Sequence, residues 1–556
     1  TTNPDFCNDK LTGAYFQYPN QDDSPEDGNG RGSHTSSTAA GNAHEATFAW
    51  NGQTFTRFIS GVAPHANIVA YKICNPYCPS TSAVASAELA ISQDMVDVIN
   101  YSIGPGGDPW SDMVEVAFLD ATAAGIFVSV SAGNSGPGAG TIEHTAPWTS
   151  SVAASTHSRI YQNLVDFNVG EISMTGIPSI VGADQLIESM ISDNIKYDPA
   201  YLDACTTIPE DTFDGVIALV QRGGCLFDDK IANVLEAGAV GVIIFNNAGG
   251  PPIFMGTIDP PIPAVMISLD AGWNVVEMIG SDPTATATIY PETTLEIRDS
   301  WNDFIAGFSS RGPSAYELLM PNYAAPGVNI LAAVHAYDGN IATYDFYMGT
   351  SMASPHSAGS AALMMALHPD WTVSEIRSAL GSTANPSVLK DSDGINPADP
   401  FDMGSGRLDL SAAGNAGLVL DESVENYLAA DPQRGGEPNA LNLPYMVEFQ
   451  CNIACTWTRT VESVMLDTQT WTVSFEQAPG LALDVQPATF TLEPGEEITL
   501  TITAHVSGVP LLETLFGAIN LIPADGQGTR LPVVVIVEGV PTIPMYLPLL
   551  FKTPSE

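Results

Sequence analysis

Between Asn67 and Val130, short apolar runs alternate with helical periods. Asn67–Lys72 (NIVAYK), Val96–Ile103 and Ile126–Val130 read as strands, and Ser86–Met95 and Asp112–Ala124 read as helices. Strands that each return through a helix lie parallel, because a parallel pair needs a long crossover. This pattern predicts an α/β fold, a parallel sheet with helices on both faces, and it spans residues 1–160. It resumes over 297–425. Residues 161–296, between the two parts, open with Thr-, Ile- and Val-rich strands. They also hold a β-α-β pattern: Val216–Val220, Asp229–Ala237, Val240–Phe245. Residues 426–445, polar with Pro and Gly, read as a linker. The period then drops to two. Trp471, Val473 and Phe475 alternate with Thr and Ser, and Ile498, Leu500 and Ile502 with Thr, which predicts an all-β sandwich over 446–540. Residues 541–556 are a Pro-rich apolar tail.

The chain carries 17 Lys and Arg against 63 Asp and Glu, a net charge of −46. That balance disfavours nucleic acid and anionic membrane surfaces as main partners, since both demand clustered cations. Charged residues are only 14% of the 556, with 49 Gly and 41 Pro, so the chain reads as loop-rich and folded, not as a charged disordered one. The best apolar run, Ala361–Leu367, is far below the ~20 residues of a membrane span. No basic start precedes an apolar core, and the first residue is not Met, so a segment upstream of Thr1 is expected.

Six of the seven cysteines fall into local couples: Cys74/Cys78, Cys205/Cys225 and Cys451/Cys455. Couples of this kind point to disulfides and an extracellular destination. Free thiols are the alternative, and zinc at Cys74/Cys78 lacks a second couple nearby. Cys7 has no local mate, and its partner is expected upstream.

Three segments carry chemistry. Gly349-Thr-Ser-Met-Ala-Ser-Pro-His-Ser-Ala-Gly359 packs small residues around Ser351 ahead of an apolar helix, with Pro355 in the tolerant first turn. Ser351 then sits at a helix N-terminus, where free N–H groups favour a developing oxyanion. A plain loop-to-helix cap is the alternative. Gly30-Arg-Gly-Ser-His34-Thr-Ser-Ser-Thr-Ala-Ala-Gly41 can present an imidazole at a helix end, or bury a structural one. Val128–Pro137 is a strand ending in a Gly-Asn turn, and Asn134 serves either the turn or an oxyanion. A hydroxyl, an imidazole and an amide donor are the parts of acyl transfer to serine.

These segments resemble those of subtilisin-type serine proteases (subtilases). Gly61–Lys72, Phe308–Pro313, Ala324–Leu331 and Pro400–Gly406 resemble further signatures of that family. Arg222–Phe227 and Glu236–Gly241 resemble an inserted protease-associated domain, and the period-two region resembles a fibronectin-III domain. The resemblance implies a secreted endopeptidase acting on proteins or peptides, with Ser351 as nucleophile, His34 as general base and Asn134 in the oxyanion hole. It further implies substrate contacts at Asn100, Ser102, Gly104, Ser131, Ala132 and Gly133, with main-chain pairing that tolerates varied sequence. One part departs from the family pattern. The Asp-Ser/Thr-Gly turn that should precede the histidine is missing, and Asp5, Asp9, Asp22, Asp23 and Asp27 do not supply it. Cys7–Ala14 resembles the segment that follows that turn, so the catalytic Asp is expected upstream of Thr1, and the chain as given is expected to fold poorly and cleave little. No cofactor is implied. The acidic loop Asp22–Asp27 reads as solvated, with calcium as the alternative, and the histidines form no metal pattern; His356 reads as packed. Oligomeric state is not encoded in any motif. The rival reading is a non-catalytic adhesion or scaffold protein on a degenerate protease fold.

Overall fold

The computed structural model describes residues 7–17, 24–75, 77–182, 185–257, 260–280, 282–335 and 343–537. In chain order the first part contains β1 (Leu11–Phe16), α1 (Arg31–Ala40), β2 (His44–Trp50), β3 (Gln53–Ile59), β4 (Ile68–Lys72), α2 (Ser80–Gln93), β5 (Val98–Tyr101), α3 (Met113–Ala123), β6 (Phe127–Ser131) and β7 (Ser150–Ser155). Strands β5, β6 and β7 pair in parallel, and Tyr323–Pro326 adds a fourth parallel strand beyond β7. β5 is therefore an edge among the described residues. β1 and β4 form a separate parallel pair. Helix α3 starts where it does because the Asp112 carboxylate accepts the amides of Val114 and Glu115.

Residues 159–297 build a second sheet: β8 (Arg159–Val169), β9 (Ile172–Val181), β10 (Ile191–Tyr197), β11 (Ile217–Gln221), α4 (Phe227–Glu236), β12 (Gly241–Phe245), β13 (Ala264–Ile267), α5 (Leu269–Ile279), β14 (Thr286–Ile289) and β15 (Thr294–Ile297). β14 pairs with both β10 and β8, which closes this sheet on itself. Val165, Phe167, Ile217, Ile243, Val265 and Ile289 fill its interior.

The chain then returns through β16 (Tyr323–Pro326), β17 (Ile330–Val334), β18 (Thr343–Tyr347) and α6 (Thr350–Leu367). α6 lies across β5, β6, β7 and β16 and packs along α1. Its buried face is made of Ala, Ser and Gly (Ala353, Ser354, Ala358, Gly359, Ala361), which lets the backbones approach closely. A Cβ on Gly359 would lie 2.6 Å from the Ala39 carbonyl oxygen of α1.

The C-terminal part is a sandwich of a four-stranded and a five-stranded sheet, with Trp457, Trp471, Leu500, Ile502, Ile519 and Leu531 between them. The 426–445 segment is not a solvated linker. Tyr427, Leu441, Leu443 and Tyr445 are buried against the α/β part, and Trp110 donates its indole N–H to the Tyr427 carbonyl at 2.8 Å. Buried Arg459 of the sandwich donates to the carbonyls of Asn439, Leu443 and Tyr445. Pro and Gly here fix the path of a packed strap. Three disulfides join Cys74–Cys78, Cys205–Cys225 and Cys451–Cys455, while Cys7 is free and exposed. Among the described residues no helix is long and apolar enough to cross a membrane, and no group of His, Cys, Asp or Glu could hold a metal ion. The 541–556 tail, Asp5, Asp22 and Asp23 lie outside the described residues.

Candidate active site

Ser351 is the second residue of α6, after the cap Gly349, whose φ of 143° suits glycine. Pro355 lies in the second turn, one turn later than its sequence context predicts. Having no N–H, it cannot bond the carbonyl four residues back, which belongs to Ser351. Ser102 fills that vacancy: its hydroxyl donates to the Ser351 carbonyl at 2.8 Å, and Ser351 Oγ approaches the Ser102 carbonyl at 3.2 Å. Asn100 joins the same net, accepting from Ser354 Oγ at 2.8 Å and donating to Ser102 Oγ at 3.1 Å. The side chains of Asn100 and Ser102 are thus tied to α6.

Asn134 stands at the same helix start. Its Oδ1 accepts from the Thr350 amide at 2.9 Å and the Thr350 hydroxyl at 3.1 Å. Those two donors fix the orientation of the amide, and the NH2 group of this exposed residue has no protein partner among the described residues. Gly133, with φ 109°, makes the turn that delivers it, and its amide bonds Thr350 Oγ1 at 3.2 Å. Ser131 and Ala132 are buried, and Ala132 bonds main chain on both sides, to Val152 and Glu143.

Facing this wall is the segment that follows β5. Glu143 bridges the two: its amide donates to Ala132 and its carbonyl accepts from Gly106. Its side chain lies over both glycines. A Cβ on Gly133 would be 2.7 Å from Glu143 Cγ, and one on Gly104 would fall onto the carboxylate. Beneath it His144 donates to Glu115 at 2.6 Å and to the Ile103 carbonyl at 2.8 Å, and both His144 and Glu115 are buried. Burial alone would lower the His144 pKa, but the Glu115 carboxylate overrides it and holds the ring above its ordinary value. Neither Glu143 nor this pair has a motif; only the facing glycines at 104 and 133 hint at them.

The structure does not bring His34 to Ser351. The imidazole lies one turn inside α1, fully buried, stacked on Tyr347 with ring centroids 4.5 Å apart. Its Nε2 donates to the Ile330 carbonyl at 2.9 Å, and its buried Nδ1 has no hydrogen-bond partner among the described residues. Burial, which disfavours the charged ring, pushes its pKa down to about 4. The residue that reaches Ser351 is Arg31, one helical turn earlier, whose Nη2 donates to Ser351 Oγ at 2.5 Å. Residue type singled out the imidazole, but the i, i+3 relation puts Arg31 and His34 on one face at different depths, and the outer position meets the nucleophile. Asp27 sets that depth by capping α1, accepting from Asn29, Gly30 and Ser33. His356, half-buried, donates to the Met352 carbonyl at 2.8 Å.

Comparison with known proteins places the chain. Its sequence matches the Subtilase family over residues 8–417 and a Fibronectin type-III domain over residues 440–535. Relatives from Arabidopsis thaliana include Subtilisin-like protease SBT1.7, 32% identical over 587 residues, covering 94% of this chain and 75% of the relative. Subtilisin-like protease SBT4.3 is 32% identical over 586 residues, covering 95% and 76%. The CO(2)-response secreted protease is 29% identical over 608 residues, covering 96% and 76%. With the parallel sheet, the serine-bearing helix and the sandwich already described, these matches show that the chain belongs to the subtilase family of serine endopeptidases.

Proposed function

We propose that this chain binds extended polypeptide between Ser102–Gly104 and Ser131–Asn134, and that Ser351 is the hydroxyl that attacks a bound carbonyl. The observation that carries this reading is the start of α6. Ser351 lies buried at a helix N-terminus, beside an Asn134 amide whose orientation is fixed and whose NH2 group has no protein partner among the described residues. Such a donor steadies the oxyanion that forms as the carbonyl is attacked. The Glu143 carboxylate over Gly104 and Gly133 favours a basic peptide side chain at that point of the cleft. His34, whose Nε2 is bonded to the Ile330 carbonyl, is the imidazole that the family resemblance assigns as base to this serine.

Three disulfides and the likeness to a protease named as secreted support an extracellular setting. We read the closed sheet of 159–297 as the protease-associated module inserted into the catalytic domain. Incubation with a peptide-linked phosphonate, followed by mass spectrometry, tests the reading. An adduct on Ser351, lost in Ser351→Ala, is the expected result; an adduct that survives that substitution overturns it.

A further inference from the structure

The backbone that follows β5 is held from behind by a buried ring. His144 spends both nitrogens, Nδ1 on Glu115 Oε1 at 2.6 Å and Nε2 on the Ile103 carbonyl at 2.8 Å. A carboxylate and a carbonyl only accept, and a neutral imidazole has one N–H, so the two bonds together need a second proton. The surroundings supply the reason to keep it. Glu115 is fully buried, and its Oε2 has no hydrogen-bond partner among the described residues. Glu143 adds a second negative charge beside the ring. Tyr101 of β5 meets the imidazole edge-on at 5.7 Å, and burial pushes its pKa up to about 12, so it stays neutral; Asp112 at the start of α3 acts on that phenol. Among the described residues no Lys or Arg pairs with Glu115 or Glu143. Gly106 lies directly on the pair: a Cβ there would be 2.5 Å from Glu115 Oε1 and 2.7 Å from His144 Nδ1. The pair is therefore wedged between α3 and the backbone of residues 103–106.

We propose that His144 is a positioning residue whose two N–H groups fasten the peptide-pairing backbone at Ile103 to Glu115 of α3, and that this fastening opens when the second proton leaves. The link to peptide rests on the reading that extended polypeptide binds between Ser102–Gly104 and Ser131–Asn134. When solvent hydroxide takes the proton, the neutral ring can donate to one side only. The carboxylate is the stronger acceptor and keeps the N–H, so the Ile103 carbonyl is released. The sign follows from the raised pKa of the ring. The fastening stays closed through the ordinary imidazole value of 6.5 and opens as pH climbs past the raised one. Glu115→Gln removes the need for the second proton. Its amide donates to Nδ1, Nε2–H donates to Ile103, and burial keeps the ring neutral, so nothing is left to titrate as pH rises.

Two measurements on the full chain from pH 6 to 10 test this, for wild type, Glu115→Gln and His144→Phe. The first is amide hydrogen exchange of residues 102–107, corrected for the intrinsic pH dependence of exchange. The second is fluorescence polarisation of a capped norleucine peptide, which has no group that titrates in this range, on a Ser351→Ala background that leaves it uncut. In wild type, protection of the segment is expected to fall about tenfold as pH rises, the worth of one hydrogen bond, and peptide affinity to fall with it. Glu115→Gln is expected to hold both constant, and His144→Phe to show the alkaline values already at pH 6. Wild-type protection that stays flat overturns the proposal, and so does a Glu115→Gln protein that loosens in parallel with wild type. Loosening of the segment in a chain that binds no peptide at any pH supports the fastening and sinks instead the reading of the cleft. Should a variant not fold, wild-type exchange decides: loosening confined to 102–107 supports the proposal, and loosening spread equally over β6 and β7 overturns it.

Discussion

The two helices that meet at the cleft hold their polar ends very differently. At the start of α6 several polar groups are tied down by side chains from other elements. Ser102 fills the carbonyl that Pro355 cannot, Asn134 takes the Thr350 amide, and Ser354 is bound by Ser129 and Asn100. At the start of α1 the imidazole is sealed away with its Nδ1 unpartnered among the described residues, and the guanidinium one turn out touches Ser351. Three residues along a helix are ~4.5 Å of rise, enough to exchange a buried ring for a reaching side chain. A nucleophile turn is specified locally, by a cap and the residues beside it. A base delivered by another helix depends on how that helix is seated, and residue type does not report seating.

The sharpest way to break this contrast is at Asn134. Asn134→Asp keeps Oδ1 for Thr350 but replaces the NH2 donor by a carboxylate oxygen. Fluorophosphonate capture should fall ~10²–10³-fold relative to wild type, as for loss of one oxyanion donor. Unchanged capture would mean that the ordered side of the cleft is ordered for stability only.

His34 tests the other side. His34→Ala removes a buried ring, its stack on Tyr347 and its bond to Ile330, and should cost about 3 kcal/mol in denaturant unfolding. Capture per folded molecule should stay within about threefold if the ring is structural, a range that corresponds to less than 1 kcal/mol. The pH dependence has a definite sign. Because burial holds the pKa at about 4, the fold prefers the neutral ring. Its contribution is intact above the ordinary imidazole range and drains away as pH falls from about 6.5 to 4, by about 3 kcal/mol. A His34→Gln protein should lack this part of the acid limb. Loss of capture with stability unchanged would instead make His34 the base and erase the contrast.

Much of the architecture was legible because it is periodic. The strand at 67–72, the helix at 112–124 and the alternation at 471–475 each announce themselves through burial on one face, and the structure has β4, α3 and a sandwich strand there. The 426–445 strap was not, since Pro and Gly mark a bent path equally well whether it is solvated or packed under Tyr427 and Tyr445. At the cleft, Ser351 and Asn134 stand out through their immediate neighbours. Arg31 and Glu143 do not, because each matters only through a contact made across the fold: Arg31 with a residue 320 positions away, Glu143 with a glycine on each wall.

Glu143 gives a smaller effect. Glu143→Gln should weaken binding of a peptide carrying Lys at that subsite by about tenfold relative to its norleucine counterpart, the worth of one partly screened ion pair in a cleft. Fluorescence polarisation of the two peptides reads the ratio directly. An unchanged ratio would show that the carboxylate serves the glycine walls and not the ligand.

The smallest effect probes why the α6 start is so well ordered. If Ser102 stands in for the N–H that Pro355 lacks, Ser102→Ala leaves the Ser351 carbonyl short of a donor and should cost about 1 kcal/mol. Pro355→Ala returns an N–H one helical turn away, so Ser102→Ala should cost less in that background. The coupling in this double-mutant cycle is the signature. Additive costs would mean that Ser102 stabilises α6 through Asn100 rather than through the serine carbonyl, and the order at the nucleophile would then belong to the β5–α6 contact, not to the proline.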